Sequence, residues 1–300
     1  MIDVLSFNYE LYDRDPNRNL SDPEVVKLHS YHFQNETDNL DVWRQHRLME
    51  PVLDRMQFAR NHSWLTVGDG AYGLEAIRMG RKGFTDVLPT DIDGKLLEVS
   101  KTKGLIKEYK VENGEKMSFA DDSFDYVLCK DSYHHMPRPL IALYEMIRIA
   151  RKAVVLIEPQ DPWIDDPVMP GPQIAGYESV GNYVYTISKR ELVKVSQSLE
   201  LPVYGFKSIF DYCPPNIEQI PVHPTSPKFI EYMRLIIEGQ DRVTKGIEKG
   251  GMLFAVLFKT APTQFELSSF LSGSNGWQLT SFPGNPHRRA FNQRTGGSNE

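Results

Sequence analysis

Residues 64–73 read Trp-Leu-Thr-Val-Gly-Asp-Gly-Ala-Tyr-Gly and place a glycine-rich turn directly after an apolar run. The run 64–67 is typical of a buried strand, and residues 68–73 satisfy the spacing G-x-G-x-x-G. Glycine carries no Cβ, so a ligand can lie against the backbone at the carboxyl end of the first strand. The same turn also serves as a plain connection between a strand and a helix. Alone, it therefore predicts a local fold and leaves the ligand open.

A carboxylate ends the second predicted strand of the chain. Asp91 lies 23 positions after Gly68. An acidic side chain at that place can accept hydrogen bonds from the two ribose hydroxyls of an adenosine group. Asp93 has a different expected role, as the cap of the helix that follows. The glycine turn and Asp91 together favour a nucleoside site.

Short apolar runs alternate with helical stretches between residues 64 and 157, which is the pattern of a parallel sheet wrapped by crossover helices. The predicted strands lie near 64–67, 87–90, 109–111, 126–129 and 153–157, with two more near 203–209 and 252–258. The predicted helices lie near 41–58, where Asp41 is the expected N-cap, and near 74–80, 95–103, 139–151, 188–198 and 227–245. In helix 139–151 the predicted inward residues are Ile141, Tyr144, Ile147 and Ile149. The expected fold class is α/β.

The chain is expected to have one main domain with additions. We assign residues 1–40 to an N-terminal arm, 41–260 to the main domain, and 261–300 to a C-terminal extension with a disordered end. Two segments interrupt the rhythm of the main domain, the proline-rich and aromatic stretch 159–187 and the insertion 213–248. We interpret the first as a lid and the second as a lid extension or a homodimer contact.

Composition and charge exclude several classes of protein. The net charge of −6 leaves no positive field for a phosphate backbone, so no nucleic-acid partner is expected. No apolar run is long enough to cross a bilayer, and the start of the chain does not resemble a secretion signal. Only Cys129 and Cys213 occur, without the spacing of a zinc site or a disulfide framework. A cytoplasmic protein without a metal is expected.

A third stretch narrows the ligand. Phe119, Asp121, Ser123, Phe124 and Asp125 precede a predicted strand, and the pair His134-His135 follows it. This order and spacing resembles class I S-adenosylmethionine-dependent methyltransferases, in particular the branch that includes quinone-biosynthesis and natural-product enzymes. The resemblance implies a Rossmann-like, seven-stranded, mostly parallel sheet with helices on both faces and an antiparallel last strand. It also implies S-adenosylmethionine as the cofactor and S-adenosylhomocysteine as the product.

The resemblance assigns cofactor contacts residue by residue. It places the glycines of the turn at the methionine and ribose groups, Asp91 and its neighbour at the ribose, the segment before strand four at adenine, and a lysine after strand four at the methionine. These residues are Gly68, Gly70, Gly73, Asp91, Ile92, Asn113, Gly114 and Lys130. The chain departs from the family at Thr66 and Asn113, where acidic residues are usual. Asp69 is the candidate that supplies the missing carboxylate, and Asn113 can still accept a hydrogen bond from adenine.

Methyl transfer mainly requires alignment of the acceptor and exclusion of water, and a base removes the acceptor's proton where there is one. His134 and His135 are the candidate bases, with His135 favoured, because histidine titrates near neutral pH. The alternative is that both fix the loop before residue 139. Glu158 and Asp161 are rival candidates that can equally be loop anchors.

Aromatic residues of the predicted lid and two residues of the arm complete the set of candidates near the acceptor, either as contacts or as core filling. They are Trp163, Tyr177, Tyr183, Tyr185, Tyr31 and His32. The predicted function is methyl transfer to an oxygen or nitrogen of a small-molecule acceptor, such as a sugar nucleotide, glycan precursor or secondary metabolite. Two alternatives remain, a non-catalytic protein that binds S-adenosylmethionine and a nicotinamide-dependent oxidoreductase. The stretch 119–125 and the absence of a Tyr-x-x-x-Lys pair near the pocket argue against the oxidoreductase.

Overall fold

The computed structural model describes residues 19–23, 25, 39–161, 183–273, 276–285 and 287. The strands in these ranges are β1 Ser63–Val67, β2 Asp86–Asp91, β3 Lys110–Val111, β4 Phe124–Lys130, β5 Ala150–Pro159, β6 Val203–Ile209, β7 Met252–Phe258 and β8 Gln278–Ser281. The α-helices of eight or more residues in these ranges are α1 Leu40–Leu53, α2 Leu74–Arg81, α3 Lys95–Thr102, α4 Pro139–Ile149, α5 Lys189–Ser198, α6 Pro227–Thr244 and α7 Gln264–Leu271.

All eight strands form one sheet in the order β3-β2-β1-β4-β5-β7-β6-β8. The first five strands are parallel, and β7 runs antiparallel to its neighbours β5 and β6. The predicted α/β, Rossmann-like fold is therefore confirmed. The strand order reverses between β1 and β4, and in open sheets of this kind a crevice for ligands forms outside the carboxyl ends of the strands at that reversal.

The sheet has eight strands where seven were predicted. The eighth strand, β8, pairs antiparallel with β6 from Phe206–Gln278 to Val203–Ser281. Leu279 is its one apolar residue and the other three are polar and exposed, so no apolar pattern marks this strand in the sequence. Residues after 260 also provide Phe270 and Trp277, which are buried in the core next to α1. Much of the predicted C-terminal extension therefore packs on the main domain.

Two predicted helix caps differ from the structure by one or two positions. Helix α1 begins one residue earlier than predicted, because the Asn39 side chain accepts a hydrogen bond from the Val42 amide and takes the cap role assigned to Asp41. Gly94 occupies the N-cap position of α3, and Asp93 accepts a hydrogen bond from the Lys95 amide instead. In contrast, Ser188 forms the predicted capping box with Glu191 at the start of α5.

The face that α4 buries was predicted only in part. Ile147 and Ile149 are buried, whereas Ile141 and Tyr144 are exposed. At 100° per residue, the core-facing stripe of this helix comprises Pro139, Ala142, Leu143 and Met146 as well. The apolar residues on both faces of α4 made the inward face ambiguous from sequence.

Both faces of the sheet are covered by apolar layers. One layer joins the sheet to α4 and α5, and the other joins it to α1 and α7. The stretch 119–125, which resembles that of methyltransferases, lies at the end of β4 that is opposite to the crevice. There the Asp125 side chain contacts Ser63, His62 and Arg151. It therefore ties β4 to the start of β1. None of the helices in the described ranges is both long and apolar enough to cross a membrane.

Candidate cofactor and active site

A cavity of about 500 Å³, open to solvent, lies at the carboxyl ends of β1, β2 and β4. Its wall comprises Val67, Gly68, Asp91, Ile92, Glu112, Asn113, Gly114, Glu115, Ser132, His135, Met136 and Pro137. The structure thus brings together six residues predicted for the cofactor or for catalysis, from segments that are distant in sequence. We call it the adenosine cavity.

The three glycines of the turn have three different reasons to lack a side chain. Gly68 has a φ of +71°, and a Cβ there would overlap the Ser132 hydroxyl. A Cβ at Gly70 would lie no more than 2.6 Å from the Asp91 carboxylate atoms. A Cβ at Gly73, where φ is +69°, would press on Leu97 at 3.2 Å. Only Gly68 is part of the cavity wall, while Gly70 makes room for Asp91 and Gly73 allows the close packing of α2 on α3.

Asp91 is placed where an acid for the ribose is expected. It ends β2, lines the adenosine cavity and is 8% exposed. One of its oxygens, Oδ1, accepts a hydrogen bond of 2.9 Å from the Asp93 amide, which holds the side chain against the glycine turn. A carboxylate oxygen has more than one lone pair, so both oxygens can still accept hydrogen bonds from a diol.

The remaining walls of the cavity suit an adenine ring. Val67, Ile92 and Met136 provide apolar surface, and a Cβ on Gly114 would lie only 3.0 Å from Met136 Cε and 3.4 Å from Val67 Cγ1. The lack of a side chain at Gly114 therefore lets Met136 and Val67 pack closely against this part of the cavity wall. Asn113 Oδ1 accepts a hydrogen bond from the Glu115 amide at 2.9 Å, which fixes the amide at the cavity wall. The residues present fit an adenosine group.

Asp69 does not line the cavity, contrary to the suggestion that it supplies the missing acid. Its carboxylate accepts hydrogen bonds from the Thr66 hydroxyl at 2.8 Å and from the Glu75 and Ala76 amides at 3.1 and 3.0 Å. Burial raises the pKa of Asp69, and the charge of Glu75 adds to this effect. Asp69 thus joins the end of β1 to the first turn of α2, and Thr66 is its partner.

Lys130 lies in a buried ion cluster beside the turn and outside the cavity wall. Its Nζ is 2.7 Å from Asp131 Oδ2, 2.6 Å from Gln45 Oε1 and 3.2 Å from Glu75 Oε1. Burial alone would lower the pKa of Lys130, but the Asp131 and Glu75 carboxylates outweigh that effect and raise it. The ammonium is therefore charged and engaged. Its predicted contact with the methionine group stays a prediction.

The two histidines after β4 point into different surroundings. They lie in a 3-10 turn, Tyr133–His135, with ring centroids 4.0 Å apart. His135 lines the adenosine cavity and is partly exposed, whereas His134 is buried. As expected for neighbouring residues, only one of the pair reaches the cavity. His135 is the one that can meet an acceptor.

Glu158 is the anchor of this turn rather than a group that faces the cavity. It is fully buried at the end of β5. Its Oε1 accepts hydrogen bonds of 3.0 Å from the Ser132 and Tyr133 amides, and its Oε2 lies 2.6 Å from His134 Nδ1. Of the two roles open to Glu158, base or loop anchor, the geometry supports the anchor. No sequence signal pointed to its partners, because β4 and β5 meet only in the fold.

The predicted lid is described only at its ends. Residues 162–182, with Trp163 and Tyr177, lie outside the described residues, as do Tyr31 and His32. At the near end, the Tyr185 amide donates a hydrogen bond of 3.0 Å to the His134 carbonyl, and the Tyr185 hydroxyl donates to Glu191 at 3.0 Å. Tyr183 is 46% exposed. Asp161, whose amide donates to Ile187, follows β5 and is not part of the cavity wall.

Six residues of the wall were not among the predicted site residues: Val67, Glu112, Glu115, Ser132, Met136 and Pro137. The Glu115 carboxylate accepts hydrogen bonds from the backbone amide and the guanidinium of Arg138, which joins the segment before β4 to the turn after it. Met136 is adjacent to the histidine pair, and this position was the only signal in the sequence that could have indicated it.

Comparison with known proteins identifies one domain. Residues 65–157 match the family described as a methyltransferase domain. No curated protein shows significant similarity to the chain. Solved structures to which the chain is similar include an S-adenosylmethionine-dependent methyltransferase of Thermotoga maritima, described as a possible histamine N-methyltransferase. The identity is 12% and the TM-score 0.48, over 84% of this chain and 100% of that chain. Another, from Archaeoglobus fulgidus, has 16% identity and a TM-score of 0.46 over 72% and 94%. The family match spans β1 to β5, the part of the sheet that holds the adenosine cavity.

Proposed function

We propose that this chain binds S-adenosylmethionine and transfers its methyl group to an oxygen or nitrogen of a small-molecule acceptor. The match of residues 65–157 to the methyltransferase domain family supports this proposal. The observation that carries the proposal is the adenosine cavity, whose wall includes both Asp91 and His135. An acid for the ribose and a base for the acceptor are thus presented in one crevice at the carboxyl edge of the sheet.

The residues of the adenosine cavity would hold the cofactor by its nucleoside. Asp91 accepts hydrogen bonds from the ribose hydroxyls, and Val67, Ile92 and Met136 enclose the adenine ring with Asn113 at its polar edge. When bound, S-adenosylmethionine supplies an electrophilic methyl group on a sulfonium, whose positive charge is lost on transfer. The protein's main contribution is alignment, which is worth up to about 7–11 kcal/mol of barrier reduction.

His135 takes the proton that an acceptor hydroxyl or ammonium loses. A positioned base adds about 10²–10⁴-fold in rate. His134 and Glu158 position it: the Glu158 carboxylate accepts a hydrogen bond from His134 Nδ1, and it also holds the Ser132 and Tyr133 amides. This arrangement fixes the backbone on which His135 stands.

The charge of the chain and the described end of the lid support a proposal for the acceptor class. A net charge of −6 disfavours a nucleic-acid acceptor. We propose a sugar nucleotide, glycan precursor or secondary metabolite as the acceptor and the cytoplasm as the location. The end of the predicted lid that is described, with Tyr183 and Tyr185, borders the histidine turn and supports an acceptor with a ring or sugar face.

The test begins with ligands that co-purify with the chain, identified by mass spectrometry, and with calorimetry of S-adenosylhomocysteine binding. Transfer of a labelled methyl group into fractionated cell extract then identifies the acceptor. His135→Ala is expected to lower turnover about 10²-fold or more and to leave the affinity for S-adenosylhomocysteine within twofold. Binding of NAD without binding of S-adenosylhomocysteine would refute the proposal. Cofactor binding with no transfer to any fraction would favour the non-catalytic alternative.

We also propose that the insertion 213–248 forms a homodimer contact. Helix α6 exposes Ile230 and Ile237, 53% and 64% accessible, two turns apart on one face. Exposed apolar side chains at this spacing are typical of a helix that packs on a partner. Sedimentation velocity of the wild-type chain and of Ile237→Glu tests this proposal, since the variant is expected to be monomeric. At a protein concentration of about 100 μM, even a weak dimer with a Kd of that order would be populated. A wild-type chain that is monomeric at this concentration would contradict the proposal.

A further inference from the structure

A second cavity, of about 1370 Å³ and open to solvent, lies at the edge of β6. Strand β8 pairs with β6 only as far as Phe206, so residues 207–209 have no strand partner on that side among the described residues. Helices α1 and α6 form the other walls through Arg47, Gln240 and Thr244. We call this space the β6 edge cavity. It shares no wall residue with the adenosine cavity.

The charge of this wall is opposite to that of the chain. Three basic residues line it, Arg47, Lys189 and Lys207, and Glu50 is the one acidic residue. Glu50 is already engaged, because its Oε1 lies 3.2 Å from Lys82 Nζ. The wall therefore has an excess of positive charge in a protein whose net charge is −6. A concave surface with one sign of charge concentrates ions of the other sign.

Lys207 is the unusual member of the wall. It is partly buried on β6, on the face that also carries Val203 and Ile209 in the apolar core. It makes no salt bridge in the described part of the chain. Burial, followed by the charges of Arg55 and Arg47, lowers the pKa of Lys207. An ammonium held among cations is unfavourable unless an anion is present.

Arg47 is also only partly satisfied. Its terminal nitrogen lies 3.2 Å from Asp211 Oδ1, but Asp211 is shared with Arg44. Its Nε is buried without a hydrogen-bond partner. Guanidinium groups bind phosphate and carboxylate groups through paired hydrogen bonds, and an ammonium adds a point charge. The polar side chains of Gln240 and Thr244 complete a wall that suits an oxyanion.

We propose that the β6 edge cavity binds a small, multiply charged oxyanion, a compound with phosphate or carboxylate groups, at a site separate from the adenosine cavity. The position of Lys207, which makes no salt bridge in the described part of the chain, and the buried Nε of Arg47, which has no hydrogen-bond partner, carry this inference. It does not depend on the identity of the methyl acceptor, and the anion can belong to any small molecule that presents two or more such groups.

Calorimetry on the full chain, with inorganic pyrophosphate and with citrate at constant ionic strength set by NaCl, tests the proposal. Saturable binding of one of them is expected, and the tighter of the two assigns phosphate or carboxylate as the favoured group. Saturating S-adenosylhomocysteine is expected to leave the Kd of that anion within twofold. No saturable binding of either anion, or competition with S-adenosylhomocysteine, would overturn the proposal.

Variants locate the site. Lys207→Met keeps the length of the side chain and is expected to weaken binding of the anion at least 10-fold while raising the Tm of the anion-free protein, because a poorly compensated cation is removed. Lys207→Arg keeps the charge and is expected to retain binding. The matched control is Lys194→Met, which removes the same charge from an exposed position on α5. Equal affinities in Lys207→Met and Lys194→Met would place the anion elsewhere and overturn the assignment.

Discussion

Gly70→Ala is expected to weaken cofactor binding although Gly70 does not line the adenosine cavity. The new methyl group would lie no more than 2.6 Å from all three atoms of the Asp91 carboxyl group. Atoms at that distance overlap, so the side chain of Asp91 must rotate away. Because the colliding atoms are the end of a side chain, the fold can adapt, and the loss falls on the position of the carboxylate.

The size of the effect follows from the hydrogen bonds that Asp91 would make to the ribose. A hydrogen bond to a charged group contributes about 1.5–3 kcal/mol. Loss of one such bond corresponds to about a 10- to 100-fold increase in the Kd of S-adenosylhomocysteine. Asp91→Ala removes the same interaction, so the expected effect is of similar size. In the Asp91→Ala background, the Gly70 substitution should add less than about 0.5 kcal/mol, because its target is gone.

Isothermal titration calorimetry with S-adenosylhomocysteine measures these affinities, and thermal unfolding reports on the fold. Gly80→Ala is the matched control, since Gly80 lies in α2 and a Cβ there meets nothing within 4 Å. This control should bind the cofactor normally and gain about 0.5–1 kcal/mol of stability from helix propensity. A Gly70→Ala protein that binds within twofold of the wild type, or single effects that add fully in the double variant, would refute the role assigned to Asp91.

Two further predictions concern Glu158 and His46. Glu158→Gln is expected to cost about 1–3 kcal/mol of unfolding free energy, because the amide offers N–H to His134 Nδ1 in place of a carboxylate oxygen. Turnover should fall, while the Kd of S-adenosylhomocysteine should stay within twofold. Normal turnover would show that this contact does not position the turn. Burial lowers the pKa of His46 to about 4. As the pH falls, the unfolded chain therefore takes up a proton near pH 6.5 that the folded chain does not. The free energy of unfolding should fall by about 2 kcal/mol between pH 7 and pH 5. Urea unfolding at both pH values should show a smaller fall in His46→Gln, and an equal fall in both proteins would contradict the assignment.

The sequence predicts the parts of the fold that depend on local patterns. Strands such as 252–258 consist of consecutive apolar residues, and the segment 68–73 combines glycine with the end of a strand, so both could be located without coordinates. Asp91 could be placed at the cavity because parallel strands end at the same edge of a sheet. The same reasoning brought His135 to that edge, since it follows β4.

The features that could not be predicted depend on contacts between distant segments. Asp69 has the position of a cofactor ligand in the sequence, yet three donors from Thr66 and α2 occupy its carboxylate. Glu158 is 26 positions from Ser132, and only the pairing of β4 with β5 brings them together. Strand β8 carries a single apolar residue, Leu279, and only its pairing with β6 in the fold reveals it.

The residues after 260 have a practical consequence for anyone who shortens this protein. Trp277 donates a hydrogen bond of 3.0 Å to the Pro51 carbonyl, and Phe270 is fully buried. A version that stops at residue 260, at the limit of the main domain expected from sequence, would lose both aromatic side chains and would uncover the hydrogen-bonding groups along β6. An uncovered strand of this kind recruits other chains. Such a version should aggregate during expression, so an expression clone is best extended at least through β8, which ends at Ser281.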